Sequence, residues 1–172
     1  MRGLRDKRVV VTGGGGGIGS AVCDRFGAEG AQVIVADIDA AAAQVVVDRI
    51  AAAGGRAAPM VVDLTDFDAV RGAVAQVESG LGPIDVLVNN AGWDLFVPFL
   101  KSEPDHWSRI IDINLRSVLN ITHAVLGGMA ERKSGRVVSV ASDAGRAGTR
   151  GTGRRQRLRR APMAGNASRG HP

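Results

Sequence analysis

The sequence has no tyrosine and a single cysteine among its 172 residues. One thiol, Cys23, cannot form a disulfide scaffold or a zinc site built from several thiolates, and we expect no metal site and a reducing compartment. Long hydrophobic runs are missing from the start of the chain, where the charged residues 1–8 are followed by only three valines at 9–11. This run is too short for a signal-peptide core or a membrane span. We therefore expect a cytoplasmic protein without a membrane partner.

Acidic residues are absent from the end of the chain. After Asp143 the sequence has no Asp or Glu but eight arginines, and without these arginines the chain carries 14 basic against 17 acidic residues. The net charge of +5 is therefore the average of a slightly acidic body and a strongly basic end. From position 149 onward Gly, Arg, Pro and Ser predominate without apolar periodicity, a composition that does not build a core. We predict a globular domain at residues 1–148 and a tail without fixed structure at residues 149–172.

Short β-branched runs alternate with longer helical patterns in the globular domain, which is typical of the α/β class. The strand-like runs are almost continuously apolar, as expected for a parallel sheet that is covered by helices on both faces. The sequence therefore predicts a doubly wound parallel sheet that is truncated after its fifth strand. The predicted strands are residues 8–11, 32–36, 57–62, 84–88 and 136–140.

Helices are predicted between these strands. The second, at residues 39–53, ends at a Gly-Gly pair, and the third has Asp66 as its expected N-cap. Apolar residues at helical spacing define one stripe on the first helix and one on the third. These stripes are Ile18, Val22 and Phe26 in the first helix and Phe67, Val70, Val74 and Val77 in the third.

The fourth predicted helix, from Pro104 to about residue 133, carries a polar residue on its apolar face. Asn114 lies within a stripe that the spacing predicts to face inward. A buried amide needs hydrogen-bond partners or water, so Asn114 is either a satisfied structural residue or part of a functional site. The other residues of the stripe are Trp107, Ile111, Val118 and Val125.

Five consecutive glycines, Gly13, Gly14, Gly15, Gly16 and Gly17, connect the first strand to the first helix. Residues without side chains allow a close backbone approach to a pyrophosphate, and the helix that follows directs its free N–H groups toward the anion. Glycine-rich turns between a strand and a helix also occur for packing alone. The context of this turn, and above all the residue that ends the second strand, favours a phosphate-binding loop.

Asp37 ends the second predicted strand, twenty residues after Gly17. An acidic residue at this spacing accepts hydrogen bonds from the ribose hydroxyls of a bound adenosine in dinucleotide-binding folds. Its charge would also repel a 2′-phosphate, so we expect the cofactor to be NAD rather than NADP. The alternative is a structural role for Asp37 as a helix N-cap beside Asp39.

The order of these motifs resembles the short-chain dehydrogenase/reductase family over about residues 1–148. The resemblance implies a Rossmann-like fold and an NAD-dependent oxidoreductase whose partner is a small-molecule secondary alcohol or ketone. The matching motifs are Thr12-Gly13-x-x-x-Gly17-Ile18-Gly19, Asp63-Leu64 after the third strand, Asn89-Asn90-Ala91-Gly92 after the fourth, Asn114 in the fourth helix and Ser142 after the fifth strand.

The resemblance also implies roles for individual residues. In the family, the glycine motif surrounds the ribose and pyrophosphate of the cofactor, Asp63 and Leu64 contact its adenine, and the segment Asn90, Ala91 and Gly92 flanks it. Asn114 would organise the water of a proton relay. Ser142 would donate or accept a hydrogen bond with the substrate, although a lone Ser in a loop is otherwise a common turn residue.

A closer resemblance, to bacterial 2-hydroxycyclohexanecarboxyl-CoA dehydrogenases within the family, rests on three stretches. They are Asn90-Ala91-Gly92-Trp93-Asp94, Pro98-Phe99 and residues 141–146. This resemblance implies a pocket for an alicyclic or acyl-thioester substrate, whereas the residue types alone are equally consistent with an apolar loop that packs on the fourth helix. The pocket would be lined by Trp93, Leu95, Phe96 and Phe99.

The chain departs from the family pattern at the proton donor, which is a Tyr with a Lys four residues later. This sequence has no Tyr, and no Lys follows Lys133. Arg155 and Arg159 lie near the expected positions, but a guanidinium is a poor proton donor at neutral pH. The abrupt change to Arg, Gly and Pro is the one expected where a GC-rich gene is read out of frame. We therefore expect little or no catalysis from the chain as written.

Two other functions compete with an active oxidoreductase. One is a remnant that binds nucleotide without turnover. The other is a nucleic-acid-binding arm formed by the arginines of the tail. The composition of the tail argues against this function, because it has neither aromatic residues for base stacking nor a helical pattern. Family members usually form homo-oligomers through segments that would follow residue 150, so we do not transfer their assembly to this chain.

Overall fold

The computed structural model describes residues 3–142, so the predicted tail and the boundary at residue 148 lie outside the described residues. Five parallel strands form one sheet in the order β3-β2-β1-β4-β5, which confirms the predicted α/β class and parallel sheet. Each predicted strand is present, with ends that differ by one or two residues. The strands are β1 (Arg8–Thr12), β2 (Gln32–Asp37), β3 (Arg56–Val61), β4 (Val86–Asn89) and β5 (Arg136–Ser139).

The central strand β1 distributes its side chains to two separate cores. Val9 and Val11 face one side of the sheet and Val10 faces the other, because neighbouring residues of a strand point to opposite faces. All three are fully buried. The core on the side of Val10 also contains Val70, Val74, Ile121, Val125 and Met129. The core on the side of Val9 and Val11 also contains Cys23, Ala43, Val46, Val47 and Ile50.

The first three helices are α1 (Gly17–Ala28), α2 (Ala40–Ala52) and α3 (Phe67–Leu81). Asp39 caps α2 by accepting hydrogen bonds from the N–H groups of the second and third helical residues, Ala41 and Ala42. Asp66 caps α3 through the Ala69 N–H at 3.0 Å, as predicted. The alternative role of Asp37 as the cap of α2 is therefore wrong.

Two predicted stripes are only partly correct. In α1 the buried residues are Gly19, Cys23 and Gly27, and Ile18 is 69% exposed. Small residues face the sheet here because α1 packs closely against it, which leaves Ile18 on the outer side. In α3 the inner positions Val70 and Val74 are buried as predicted, whereas Phe67 at the start of the helix is partly exposed.

The predicted fourth helix is interrupted. It consists of α4 (Pro104–Ile111), a π-helical turn at Asp112–Arg116, which we call the π-turn, and α5 (Ser117–Glu131). A π-helical turn has more residues than an α-turn, so a stripe counted with the α-helical period changes face across it. The prediction of one inward stripe is therefore wrong for its first half, because Trp107 is 41% exposed, Ile111 is 50% exposed and Asn114 is also exposed. The buried residues of α5 are Ser117, Ile121, Val125 and Met129.

The path of the chain through the sheet creates a crevice at one edge. From β1 the chain proceeds outward to β2 and β3, and then returns to the other side of β1 to form β4. In open α/β sheets this reversal leaves a gap at the carboxyl ends of the two central strands, and ligands bind there. The residues that follow β1 and β4 are therefore placed beside each other at the position where a site is expected.

At the opposite edge of the sheet, where the strands begin, Asp85 connects the start of β4 to the start of β1. Its carboxylate accepts hydrogen bonds from the Arg8 backbone N–H at 3.0 Å, the Arg8 guanidinium at 2.9 Å and the Lys7 ammonium at 3.1 Å. Burial alone would raise the pKa of Asp85, but these donors outweigh it and hold the pKa below its usual value. Asp85 thereby fixes the start of β4 against β1.

We predict that Asp85→Asn destabilises the protein at neutral pH. Because the pKa of Asp85 is lowered in the folded state, its ionised form stabilises the fold above the pKa of the unfolded chain, about 3.9, and this contribution is lost as the pH falls through the lower, folded value. Urea unfolding should therefore separate the variant from the wild type at pH 7 and show convergence below about pH 4. The control is Asp68→Asn, whose exposed pair with Arg71 at 3.8 Å should contribute little. A difference that persists unchanged in acid would contradict the role of the Asp85 charge.

Candidate functional site

The side chain of Thr12 connects the ends of the two central strands. Its hydroxyl donates a hydrogen bond to the Val88 carbonyl at 3.3 Å and accepts hydrogen bonds from the backbone N–H groups of Asn90 and Ala91, both at 3.0 Å. Thr12 is 1% exposed. The Asn90 amide completes the connection by donating to the Thr12 carbonyl at 3.0 Å. The loop after β4 is thus fixed beside the glycine loop that follows β1.

The glycines of the loop have different structural roles. A Cβ at Gly14 would lie 2.8 Å from the Val35 side chain, and one at Gly15 would lie 2.8 Å from the Cβ of Ala42. These two glycines permit close packing of the loop against β2 and α2. A Cβ at Gly19 would overlap the carbonyl oxygen of Gly13, so Gly19 allows α1 to begin directly above the loop.

The first turn of α1 presents unpaired N–H groups. Gly17, Ile18 and Gly19 are the first residues of the helix, and their N–H groups have no acceptor in the preceding turn. None of them has another acceptor within residues 3–142. A Cβ at Gly17 would meet no atom within 4 Å, so the space in front of this turn is open. The arrangement favours a bound anion, because the N–H groups and the positive end of the helix dipole act together.

The carboxylate of Asp37 is fixed at the end of β2. It accepts hydrogen bonds from the Gly15 N–H at 2.9 Å and from the Asp39 N–H at 3.1 Å. Each carboxylate oxygen therefore uses one of its acceptor positions within the protein and keeps another free. The neighbouring Ile38 is 68% exposed and supplies an apolar surface beside this charge.

The loop after β3 is fixed by its own hydrogen bonds and by Asn120 of α5. Asp63 accepts hydrogen bonds from the backbone N–H and the hydroxyl of Thr65, at 2.9 and 2.7 Å. The amide of Asn120 donates to the carbonyls of Leu64 at 2.9 Å and Thr65 at 3.2 Å. Asn120 is not among the residues predicted from the sequence. Its signal, an amide in a largely apolar helix, is the same as that of Asn114.

Asn114 holds the backbone of Trp93. Its Oδ1 accepts a hydrogen bond from the Trp93 N–H at 2.9 Å, and its Nδ2 donates to the Trp93 carbonyl at 2.7 Å. The π-turn presents the amide to the loop after β4 instead of to the core. Asn114 is therefore not the buried residue that the stripe predicts, but its amide forms two hydrogen bonds that fix the position of Trp93.

A cavity of about 1110 Å³ lies among these groups at the carboxyl edge of the sheet. It brings together eleven of the thirteen predicted cofactor-binding residues, including the first turn of α1 and the end of β2. These residues are Gly13, Gly16, Gly17, Ile18, Gly19, Asp37, Asp63, Leu64, Asn90, Ala91 and Gly92. Gly14 and Gly15 lie behind this wall in the packing contacts described above.

Other predicted residues lie away from the cavity wall. Of the four residues predicted to form a substrate pocket, only Trp93 lines the cavity, whereas Phe99 stacks on Trp107 at a ring distance of 5.7 Å. Leu95 and Phe96 are 54% and 66% exposed. The alternative of packing on the fourth helix is therefore correct for Phe99. This contact stacks the phenyl ring of Phe99 on the exposed indole of Trp107 in α4.

Ser142 is the last residue that the structure describes, and it is exposed. Residues up to Ala141 belong to one compact unit, and Ser142 belongs to another. Cys23 is fully buried, as expected for a small core residue, and burial raises the pKa of its thiol to about 12. His106, in the first turn of α4, is half-buried, and its ring lies 5.6 Å from that of Trp93.

Comparison with known proteins identifies the family. The family model of the short chain dehydrogenases matches residues 7–153. The chain therefore belongs to the short-chain dehydrogenase/reductase family, and its sheet and helices are the Rossmann-like fold of that family. Oxidoreductases that act on alcohol or ketone groups with nicotinamide cofactors characterise the family.

Individual relatives match most of this chain. A short chain dehydrogenase of Pseudocercospora fijiensis is 44% identical, over 81% of this chain and 46% of the relative. The (2S)-[(R)-hydroxy(phenyl)methyl]succinyl-CoA dehydrogenase subunit BbsD of Thauera aromatica is 37% identical, over 83% of this chain and 57% of the relative. The chain thus spans about half the length of the curated relatives it matches.

Solved structures of similar fold include complexes with both nicotinamide cofactors. NAD⁺-bound xylitol dehydrogenase matches with a TM-score of 0.83 and 33% identity, over 86% of this chain and 57% of that chain. A metagenomic short-chain oxidoreductase in complex with NADP matches with a TM-score of 0.77 and 34% identity, over 81% of this chain and 63% of that chain. Within residues 3–142, no helix combines the length and apolar character needed to cross a membrane, and no group of acidic, His and Cys side chains is arranged to hold a metal ion.

We predict that Gly19→Ala destabilises the fold whereas Gly17→Ala does not. The added methyl group at Gly19 would collide with the Gly13 carbonyl. Such overpacking typically lowers the free energy of unfolding by about 1–3 kcal/mol. At Gly17 the methyl group has open space, and alanine has the higher helix propensity. Urea unfolding followed by circular dichroism compares the two variants. Equal free energies of unfolding for both would contradict the assigned role of Gly19.

Proposed function

We propose that the chain binds NAD in the cavity at the carboxyl edge of the sheet and contains the cofactor-binding half of a dehydrogenase for a secondary alcohol or ketone. The observation that carries this proposal is the position of Asp37 in the same cavity wall as the unpaired N–H groups of α1. A dinucleotide requires both features, a donor set for its pyrophosphate and an acceptor for its adenosine ribose.

The described residues supply contacts that such a cofactor would use. The open space in front of Gly17 admits phosphate oxygens, and the N–H groups of α1 are available as donors. Asp63 and Leu64 form the wall beside Asp37, where an adenine would lie. The segment Asn90 to Gly92 would flank the nicotinamide half, because Thr12 fixes it next to the glycine loop.

Preference for NAD over NADP follows from the charge at the end of β2. The Asp37 carboxylate would accept hydrogen bonds from the 2′- and 3′-hydroxyls and would repel a 2′-phosphate. The adjacent wall residue is the apolar Ile38, so no basic side chain compensates for this charge at that position.

We predict tighter binding of NADH than of NADPH, by about tenfold or more, which corresponds to about 1.4 kcal/mol. Asp37→Asn should narrow this ratio because the repulsion is removed while an amide oxygen remains to accept a backbone N–H. Asp39→Asn is the matched control, since it removes the same charge two residues away and keeps a good N-cap. Fluorescence titration with both reduced cofactors measures the ratio, and a wild type that binds NADPH as tightly as NADH would exclude this role of Asp37.

The proposed substrate class is an alicyclic 2-hydroxyacyl-CoA or its ketone. Support comes from the sequence resemblance in the loop after β4 and from the relative in Thauera aromatica, whose name gives a hydroxy(phenyl)methylsuccinyl-CoA as its substrate. Trp93 supplies the apolar wall of the cavity on this side. A cytoplasmic location is part of the same proposal and is supported by the free, buried thiol of Cys23.

The residues for the chemical step are incomplete in this sequence. A bound NAD would supply the hydride acceptor for the alcohol carbon, and removal of the hydroxyl proton would need a general base. Asn114 has one free N–H and one free lone pair beyond its bonds to Trp93, so it can hold a water molecule at this position. We propose Ser142 as the hydrogen-bond partner of the substrate. The sequence has no Tyr to exchange the proton.

We therefore predict that the chain as written binds NAD but oxidises alcohols at a rate lower by roughly 10² to 10⁴-fold than a family member with the Tyr and Lys. Formation of NADH is followed by absorbance with cyclic secondary alcohols and 2-hydroxyacyl-CoA esters. The control is a circular dichroism spectrum that shows helical structure in the same preparation. Turnover at the rate of a complete family member would show that another group supplies the proton transfer.

A further inference from the structure

The cavity contains one cationic side chain whose role the proposed function does not explain. Among the residues that line it, Arg109 of α4 is the only Lys or Arg, whereas four aspartates line the same cavity within residues 3–142. These are Asp37, Asp63, Asp105 and Asp112. A dinucleotide carries two negative charges on its pyrophosphate, so an acidic cavity of this kind needs a compensating group.

The guanidinium of Arg109 is held by an aromatic ring. Its central carbon lies 4.2 Å from the centroid of the Trp93 ring, within the distance of a cation–π interaction. The Trp93 backbone is itself fixed by Asn114 through two hydrogen bonds. Arg109 is thus positioned on the same wall as the loop after β4, and a stacked guanidinium keeps the N–H groups on its edge available.

No carboxylate uses these N–H groups within the described part of the chain. Asp105 and Asp112 lie four residues before and three residues after Arg109 on the same helical segment, the usual spacings for a pair. Neither forms a salt bridge with it within residues 3–142, and Asp112 accepts instead from Arg116 at 2.7 Å. The other aromatic-stacked arginine, Arg71 on α3, has a carboxylate partner in Asp68.

We infer that Arg109 binds the phosphate oxygens of the dinucleotide from the side opposite the α1 N-terminus. This inference rests on the proposed function, because it takes NAD as the ligand of the cavity. The planar guanidinium suits two parallel hydrogen bonds to an anionic phosphate, and such charge-assisted bonds are stronger than neutral ones. The pyrophosphate would then lie between the backbone donors of α1 and one side-chain cation that Trp93 holds in place.

The test compares Arg109→Gln with Arg71→Gln in the full chain. Both variants remove one arginine that stacks on an aromatic ring, but Arg71 lies outside the cavity. Isothermal titration with ADP-ribose, which carries the pyrophosphate, and with adenosine, which does not, separates a phosphate contact from a general change of the site. Circular dichroism melting verifies that each variant is folded as the wild type is.

The expected result is an affinity for ADP-ribose that is about tenfold lower in Arg109→Gln and unchanged in Arg71→Gln, with adenosine binding equal in all three proteins. The decrease of ADP-ribose affinity with salt should also be shallower in Arg109→Gln than in the wild type. Wild-type affinity of Arg109→Gln for ADP-ribose, or an equal loss for adenosine, would overturn the inference. Failure of the wild type to bind NADH or ADP-ribose would overturn the proposed function and this inference with it.

Discussion

The hydroxyl of Thr12 is the contact on which the geometry of the site depends. One buried oxygen donates to the carbonyl of β4 and accepts two N–H groups from the loop that follows it. Beyond the last paired residues of β1 and β4, this side chain supplies three hydrogen bonds between the two chain segments, and the Asn90 amide adds one to the Thr12 carbonyl. Because the glycine loop and the loop after β4 are fixed to each other, α1 begins above the gap and Asn90 to Trp93 forms the facing wall.

The fold could be predicted from the sequence because its signals are local and repeated. Runs of valine such as Val9 to Val11 must be buried on both faces, and this requirement alone indicates a parallel sheet with helices on either side. The glycine loop, Asp39 and Asp66 mark the helix starts by chemistry that acts within a few residues. The predicted strand ends differ from the observed ends by only one or two residues. They are the least certain part of the prediction because the last residues of a strand contribute little apolar area.

The parts of the site that could not be predicted depend on contacts between distant segments. The α-helical periodicity predicts that Asn114 faces the core, but the π-turn directs it outward to Trp93. No local sequence pattern indicates the extra residue of a π-helical turn. Arg109 has an ordinary sequence context and becomes notable only because Trp93 lies beneath it. The same holds for Asn120, whose partners at Leu64 and Thr65 are more than 50 residues away in the chain.

The position of β5 has a consequence for the order in which the sheet opens. All four residues of β5 are exposed, and β5 is an outer strand of the sheet in the described residues, whereas the residues of β1 are enclosed between two neighbours. Local opening requires less exposure of apolar surface at β5 than at β1. Amide protons should therefore exchange with solvent faster in β5 than in β1.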